Sequence, residues 1–470
     1  MFRHRRNKGK AVALVATACT IVLGSFCNMT TVFAKPHWPK GPNVSSESAV
    51  VMEINTGTVL YEKNPHEQHY PASITKILTT LLALEKCDLN ETVVYSADAV
   101  YKNEGGTSNI ARDYLEEMTM EQSLYGIMLE SANECAYAVA EHVGASMGGD
   151  YSTFIDLMNK RAKELGCTDT NFTNCNGLPD DNHVTSAYDM ALISCEAYKN
   201  EEFKTITGTK SYIIPPTNKH SDPTPLNNHH KILHRYESGN YVNEYCTGGK
   251  TGYTTVANST LVTYAEKDGM AICVVVMDAD SPEHWNDTNK LIDYSFTNFH
   301  TINIVENEKS LIDENSSNLG ILNNNKLFVS LDKDAYIVVP NTAKFSEAEA
   351  KKNENVADKD VIASLTYTYA GREVGSVSLE TTGAKVVDEY YSDKNIKSNT
   401  NGDIVIIKPI YILIGIAILS ILVVLFTLLK KFYDDYYYLK HDREMRKIEN
   451  ARFAGPKKKK RPRKKDMLFK

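Results

Sequence analysis

The sequence predicts an α+β fold for residues 35–300, because strands at the two ends of this region enclose a helical middle. Two apolar runs in "AVVMEINTGTVLYEKN" meet at Asn55-Thr56-Gly57, which indicates a β-hairpin. Helical spacing dominates from Ser73 to about Tyr198, and strands return in "STLVTYAEKDG" and "MAICVVVMDA". Strands that flank a run of helices are typical of α+β layering.

The individual elements follow from local patterns. "MAICVVVMDA" is almost continuously apolar, which predicts a central strand covered on both faces. "YSTFIDLMNKRAKELG" has helical spacing and stops at Gly166, a common helix end. "TMEQSLYGIMLESANECAYAVAEHVG" is predicted to be helical, and "HWNDTNKLIDYSFTNF" is predicted to form a closing helix.

The character of the chain changes after about His300. Residues 301–390 contain "KLFVSL", "AYIVVP", "VIASLTYTY" and "REVGSVSLE", which predict short strands of a small all-β domain. Residues 391–408 form a polar linker to the uncharged run 409–429, which is long enough for a transmembrane helix.

Both ends of the chain carry positive charge beside an apolar run. Residues 1–34 resemble a secretory signal peptide that ends at Val32-Phe33-Ala34, although the same segment could anchor the chain if uncleaved. Residues 430–470 are basic, so the positive-inside rule predicts a cytoplasmic tail and an extracellular catalytic domain at the cell membrane. On that side of a span, "GPKKKKRPRKK" favours contact with anionic lipid over nucleic acid.

Seven cysteines follow the predicted signal, an odd number at irregular spacing that is poor evidence for a disulfide framework. Cys135 and Cys273 lie in apolar runs and are expected to be buried. The chain has no C-x-x-C pair, so a zinc site is not indicated. We therefore expect no metal and no organic cofactor.

One lysine stands out in "YPASITKILTTLLALE". Lys76 lies one helical turn after Ser73 in a mostly apolar helix, where a lysine is costly unless it is paired or neutral. A lone S-x-x-K occurs often by chance. Here, however, Ser131-Ala132-Asn133 and Lys250-Thr251-Gly252 follow in the order Ser-x-x-Lys, Ser-x-Asn, Lys-Thr-Gly. This set is the signature of penicillin-binding proteins and class A β-lactamases.

With these motifs, the chain resembles the serine-type D-alanyl-D-alanine carboxypeptidases, the low-molecular-mass penicillin-binding proteins. "LYGIMLESANECAYAVAEHVG", "FIDLMNKRAKELGCTDTNFTNCNGL" and "GGKTGYT" extend the resemblance over about 46–299, and the β-domain is similar more loosely. The resemblance implies a transpeptidase fold, with an antiparallel sheet and helices. It also implies removal of the terminal D-alanine from peptidoglycan stem peptides, with β-lactams as inhibitors.

The residues suit an acyl-enzyme mechanism. Apolar surroundings and the nearby cation Lys250 disfavour a charged Lys76, which can then take the proton of Ser73. Ser131 can relay a proton to the leaving amine. The remaining predicted roles concern substrate binding. Asn133 is expected to bind the peptide amide, Lys250 and Thr251 the terminal carboxylate, and Gly252 to allow close approach of the backbone. The resemblance also implies that the N–H groups of Ser73 and Tyr253 bind the oxyanion.

The sequence departs from the family pattern in "NNHHKIL", where the family often has an arginine for the substrate carboxylate. His229 occupies the matching position and is predicted as a weaker, pH-dependent substitute; the alternatives are that Lys231 or Arg235 takes this role or that His229 is only a surface loop residue. Two other functions stay open. The first is a β-lactamase, which would need a glutamate that activates water, but no E-x-x-L-N pattern is evident. The second is a catalytically silent penicillin-binding sensor, against which the intact motifs argue.

Overall fold

The computed structural model describes residues 36–102, 106–236, 239–307, 329–332, 334–353, 361–381 and 409–453. The described residues before Lys385 belong to one compact unit, and the C-terminal helix belongs to a second. The predicted signal peptide, the linker 391–408 and the end of the basic tail lie outside the described residues.

The elements are numbered here in chain order. The strands are β1 (Ser48–Glu53), β2 (Val59–Lys63), β3 (Thr92–Val94), β4 (Glu117–Thr119), β5 (Ser211–Ile214), β6 (Thr224–Asn227), β7 (Cys246–Thr254), β8 (Asn258–Lys267), β9 (Met270–Ala279), β10 (Phe299–Asn303), β11 (Val329–Leu331), β12 (Tyr336–Pro340), β13 (Glu349–Asn353), β14 (Val361–Tyr369) and β15 (Arg372–Thr381). The helices are α1 (Lys76–Lys86), α2 (Ala97–Tyr101), α3 (Met120–Leu129), α4 (Asn133–Ser146), α5 (Tyr151–Glu164), α6 (Ala187–Tyr198), α7 (Glu201–Gly208), α8 (Glu283–Asn298), α9 (Ile304–Asn307) and α10 (Pro409–Phe453).

A five-stranded antiparallel sheet organises the first unit, in the order β2-β1-β9-β8-β7. The predicted hairpin is confirmed as β1 and β2, and Gly57 between them has a φ of 70°, which glycine adopts without strain. The predicted central strand is confirmed as β9, whose residues are nearly all buried. Strand β7 lies at one edge, so its outer side is available to a further strand.

Alternate residues of the central strands enter two cores. Val50 and Val275 pack into the larger core, which helices α1, α3, α4 and α6 share. Val51 and Val274 point to the other face, where they pack with Leu291 of α8. This separation follows from the period of two along a strand, and it explains the continuous apolar run that predicted β9.

The helical middle differs from the prediction, because strands β3 and β4 pair within it and because a helix breaks at Ser131. The run around Ser131 forms two helices, α3 and α4, and Ser131 lies in the break between them with a φ of 61°. Helix α5 ends before Gly166, whose φ of 89° is typical of a helix C-terminus, as predicted. The predicted closing helix is confirmed as α8.

The β-rich region after α8 contains the four predicted strands, now β11, β12, β14 and β15. Strands β10 and β13 are additional. β10 follows α8 directly and pairs with β12, and a separate sheet has the order β11-β15-β14-β13. The region contacts the large sheet through Tyr336, whose hydroxyl donates to Glu53 Oε1 at 2.7 Å and accepts from Asn55 Nδ2 at 2.7 Å.

The second unit contains helix α10. The predicted transmembrane segment, residues 409–429, falls in its first half, but the side chains of residues 409–423 lie outside the described part of the chain. Among the described residues, no helix is long and apolar enough to cross a membrane. The predicted span is therefore not confirmed.

Candidate active site

A cleft of about 830 Å³ brings the three sequence motifs together. Strand β7 forms one wall, and the break between α3 and α4 forms another. The residues that line the cleft are Ser73, Gly106, Thr107, Ser108, Ser131, Asn133, Asn176, Gly177, Leu178, Pro179, His229, Lys231, Thr251, Gly252, Tyr253, Thr254, Thr255, Val256, Ser259, Ser281, His284 and Trp285.

Ser73 lies on a short 3-10 turn, Ala72–Thr75, and not inside the α-helix that the sequence predicts from this residue onward. Helix α1 begins at Lys76, so the turn sets the serine at its entrance. Ala72 has a φ of 49°, which is strained for a residue with a side chain. The strained turn exposes the Ser73 side chain to the cleft, while its neighbours Ala72 and Ile74 stay buried.

Lys76 is fully buried beside this serine. Its Nζ lies 3.0 Å from Ser73 Oγ, and it donates to Asn133 Oδ1 at 2.7 Å and to the Asn176 carbonyl oxygen at 2.6 Å. Burial lowers the pKa of Lys76 to about 7, because the charged ammonium loses its hydration. Near neutral pH the amine is thus often uncharged and can accept a proton.

A buried histidine supports the turn that carries Ser73. The Thr173 N–H donates to His183 Nδ1 at 3.0 Å, so His183 Nε2 carries the proton and donates to Thr75 Oγ1 at 2.9 Å. Burial lowers the pKa of His183 to about 4, which keeps the imidazole neutral. The hydrogen bond ties the end of the turn to the loop that follows α5.

Ser131 and Asn133 reach the cleft from the break between α3 and α4. Among the described residues, Ser131 Oγ is buried without a hydrogen-bond partner, which an approaching substrate group could supply. Asn133 is the first residue of α4, and its backbone N–H donates to the Ser108 carbonyl oxygen at 2.9 Å. The amide side chain is therefore held between Lys76 and the loop that lines the cleft.

Two glycines let the backbone approach Ser73 closely. A Cβ on Gly252 would lie 2.9 Å from the backbone nitrogen of Ser73. A Cβ on Gly177 would lie 1.8 Å from the Ala72 carbonyl oxygen, and Gly177 also has a φ of 85°. The turn is thus clamped between β7 and the loop at Gly177, so larger residues do not fit at either position.

The residues of the Lys-Thr-Gly motif differ in exposure, because some line the cleft and Lys250 is buried. Thr251 and Tyr253 line the cleft, whereas Lys250 is buried behind it and donates to the Thr251 carbonyl oxygen at 2.8 Å. Burial, and then the charge of Lys76, hold the pKa of Lys250 well below its usual range. Lys250 therefore favours its uncharged form unless an anion comes close to it.

His229 lines the cleft but has an acidic partner. Its Nε2 lies 2.8 Å from Glu130 Oε2, and its ring stacks on Tyr236 at a centroid distance of 4.9 Å. Burial raises the pKa of Glu130, but hydrogen bonds from His229 and from the Asn227 N–H outweigh it and hold that pKa low. Lys231 also lines the cleft, while the exposed Arg235 does not.

Sequence reasoning assigned no role to three residues that act on Ser73 or Lys76. The carbonyl group of Asn176 and the close approach at Gly177 both come from the segment "NFTNCNGL", but neither depends on a reactive side chain. Glu134 is buried and accepts from the Ile110 N–H at 2.6 Å. The available signal for Glu134 was an acidic residue directly after the Ser-x-Asn motif in a largely apolar run.

A half-buried serine beside a buried, readily neutral lysine is the arrangement expected of a serine hydrolase in which a lysine can serve as the base. The chain belongs to the D-alanyl-D-alanine carboxypeptidase family, peptidase family S11, whose pattern matches residues 35–281. It is thus a serine-type D-alanyl-D-alanine carboxypeptidase, and the β-lactamase and sensor alternatives are not favoured.

Known relatives agree with this assignment. The chain is 36% identical over 279 residues to D-alanyl-D-alanine carboxypeptidase DacF of Bacillus subtilis, covering 58% of this chain and 68% of that protein. It is 28% identical over 366 residues to D-alanyl-D-alanine carboxypeptidase DacA of Haemophilus influenzae, covering 72% of this chain and 85% of that protein. The structure of penicillin binding protein 5 from Haemophilus influenzae shares the fold, with a TM-score of 0.56 and 24% identity. The match covers 73% of this chain and 98% of that structure.

Proposed function

We propose that the chain removes the terminal D-alanine from peptidoglycan stem peptides through an ester formed on Ser73. The observation that carries this proposal is the placement of Lys76, whose Nζ lies 3.0 Å from Ser73 Oγ and whose pKa is lowered by burial to about 7. A serine hydroxyl is a weak nucleophile until a neighbouring base takes its proton. Lys76 contacts the Ser73 hydroxyl and, when neutral, can accept its proton.

In the acylation step Ser73 loses its proton, a new C–O bond forms, and the C–N bond to the terminal D-alanine breaks. Neutral Lys76 takes the proton of Ser73 as Ser73 Oγ bonds to the carbonyl carbon of the penultimate D-alanine. The backbone N–H groups of Ser73 and Tyr253 stabilise the oxyanion. The C–N bond then breaks, and the leaving amine receives a proton through the Ser131 hydroxyl. Water cleaves the resulting ester, which restores Ser73.

The edge strand and its neighbours orient the substrate. An extended peptide can pair with the free side of β7, as in β-strand addition. Asn133 holds the peptide amide, and the Thr251 hydroxyl holds the terminal carboxylate. A carboxylate bound next to the wall would favour the charged form of Lys250, which would then attract it from behind. A β-lactam that presents its carboxylate and its strained amide in the same way would acylate Ser73.

The test is D-alanine release from a diacetyl-L-lysyl-D-alanyl-D-alanine peptide, together with labelling by a fluorescent penicillin. We expect the purified chain to do both and Ser73→Ala to do neither. Ser152→Ala, which changes an exposed serine outside the cleft, should match the wild type. Release by Ser73→Ala would refute the assignment. Turnover of β-lactam alone would indicate a β-lactamase, and neither activity in the wild type would indicate a sensor.

We also propose that the catalytic domain lies outside the cell, held at the membrane by residues 409–429. The support is in the sequence, which places an uncharged run directly before Lys430 and Lys431 and the basic tail. External protease on intact protoplasts should remove the catalytic domain and spare an epitope added after Lys470. Loss of the epitope with the membrane intact would reverse this topology.

A further inference from the structure

A second cluster of reactive side chains lies away from the cleft. Cys87 caps the C-terminal end of α1, Glu91 follows in the next turn, and His142 lies on α4. One ligand atom from each side chain lies within 4.8 Å of the other two. His142 Nε2 is 2.8 Å from Glu91 Oε2, so the imidazole and the carboxylate already face each other.

We infer that Cys87, Glu91 and His142 form a zinc-binding site that ties the far ends of α1 and α4 together. A thiolate, an imidazole and a carboxylate are the three ligand types that proteins use for Zn²⁺. Neighbouring ligand atoms of a tetrahedral zinc ion are about 3.3–3.8 Å apart, given bonds of about 2.0–2.3 Å. Small side-chain rotations would bring these three into that range.

The local backbone holds the cluster in place. The Asp88 N–H donates to Glu91 Oε1 at 2.7 Å, which leaves Glu91 Oε2 directed at His142. The Met120 N–H donates to the Glu91 carbonyl oxygen at 2.8 Å, which fixes the turn between α1 and β3. The ligands therefore come from two helices and one anchored turn, and not from a flexible terminus.

The choice of zinc rests on ligand chemistry and exposure. A site with sulfur and imidazole nitrogen favours Zn²⁺ over Mg²⁺ or Ca²⁺, which prefer oxygen ligands. Three protein ligands leave one tetrahedral position for water. The side chains of Glu91 and His142 are 38% and 22% exposed, so water can reach the site. Binding replaces the thiol proton of Cys87, which passes to solvent, with the metal ion.

The position of the cluster indicates what the ion would do. Helix α1 begins at Lys76 and α4 begins at Asn133, so these two helices carry the catalytic groups at one end and the zinc ligands at the other. A metal that joins the far ends would stabilise the helix pair without touching the reacting atoms. We therefore expect zinc to raise thermal stability and to leave D-alanine release at 25 °C unchanged.

The test uses the purified full chain, reduced and stripped with a chelator. Co²⁺ should produce a near-ultraviolet thiolate-to-cobalt band, and Zn²⁺ should displace it and raise the melting temperature. Cys87→Ser should remove the band, and His142→Gln should weaken Zn²⁺ binding at least about tenfold. Cys167→Ser, which changes a buried thiol outside the cluster, should behave as the wild type.

Three results would overturn the inference. The first is a wild-type chain that shows no band and no thermal shift with micromolar Zn²⁺. The second is a band that survives Cys87→Ser, because another thiol would then hold the metal. The third is an equal thermal shift in wild type and in His142→Gln. Circular dichroism and D-alanine release at 25 °C show that each variant is folded.

Discussion

At the scale of single residues, the proposed mechanism depends on Lys76, and replacing it by arginine tests whether a neutral amine is needed. Arginine stays protonated and cannot accept the proton of Ser73. We expect Lys76→Arg to lower the rate of penicillin acylation at least about a hundredfold. Lys86→Arg, at the exposed end of the same helix, should acylate normally. Acylation by Lys76→Arg at the wild-type rate would exclude the neutral-lysine mechanism.

The pH dependence of acylation should report the same amine. Because Lys76 acts when neutral and its pKa is about 7, the acylation rate should rise as the pH increases through this value. The negative charge of Glu134 raises the pKa of Lys76, against the larger effect of burial. Glu134→Gln keeps an acceptor for the Ile110 N–H and should shift the profile to the acid side.

Glu141→Gln is the control for that shift, since Glu141 lies on the same helix but accepts from Ser96 Oγ at 2.6 Å, away from the cleft. Its profile should coincide with the wild type. An unchanged profile in Glu134→Gln would show that Glu134 holds the loop at Ile110 and does not influence Lys76.

His229 is predicted to help bind the substrate carboxylate. His229→Ala should therefore raise the KM for the peptide, while kcat keeps its dependence on Lys76. Because Glu130 already pairs with His229, the effect should be a few-fold. Equal KM values in the wild type and His229→Ala would leave Thr251 and Lys250 as the carboxylate site.

At the scale of elements, the turn that carries Ser73 depends on the loop packed against it. Gly177 and Gly148 have nearly the same backbone conformation, with φ of 85° and 84°. A Cβ on Gly148 meets nothing within 4 Å, whereas one on Gly177 would overlap the Ala72 carbonyl oxygen. Both alanine variants should lose about 1–2 kcal/mol through backbone strain, and Gly177→Ala should lose more because of the overlap. Only Gly177→Ala should also displace Ser73.

We expect penicillin acylation to fall at least about tenfold in Gly177→Ala and to stay normal in Gly148→Ala. Urea unfolding measures the shared loss of stability, and labelling kinetics measure the difference. If acylation were equal in the two variants, the clamp at Gly177 would not position the nucleophile.

The sequence predicts those elements whose pattern is local. The apolar run of β9 and the turn at Gly57 predict strands of the large sheet. The order of the three motifs predicts which residues meet at the active-site cleft. The break at Ser131 is not evident, because apolar residues keep helical spacing on both sides of it. The Asn176 carbonyl is also hidden, since every residue has one and only the fold brings it to Lys76.

At the scale of the whole molecule, Tyr336 joins the β-rich region to the large sheet. Its hydroxyl bonds both Glu53, which is fully buried, and Asn55. Tyr336→Phe leaves a buried carboxylate oxygen without this donor and should cost about 1–3 kcal/mol in the free energy of unfolding. D-alanine release should not change, because Tyr336 does not line the cleft.

Tyr101→Phe is the matched control, because Tyr101 is 71% exposed and should lose no stability. Equal unfolding free energies for the wild type and Tyr336→Phe would mean that water or a neighbouring group replaces the lost hydrogen bond.

The two helices that begin at the cleft have an electrostatic consequence. Helices α1 and α4 start at Lys76 and Asn133, side chains that are 2.7 Å apart, so their N-terminal ends converge. The peptide dipoles of each helix amount to about half a positive charge at such an end. The two helix ends therefore contribute a positive potential to the cleft even when both buried lysines are uncharged. This contribution disfavours protonation of the two amines and favours the anionic end of a bound peptide.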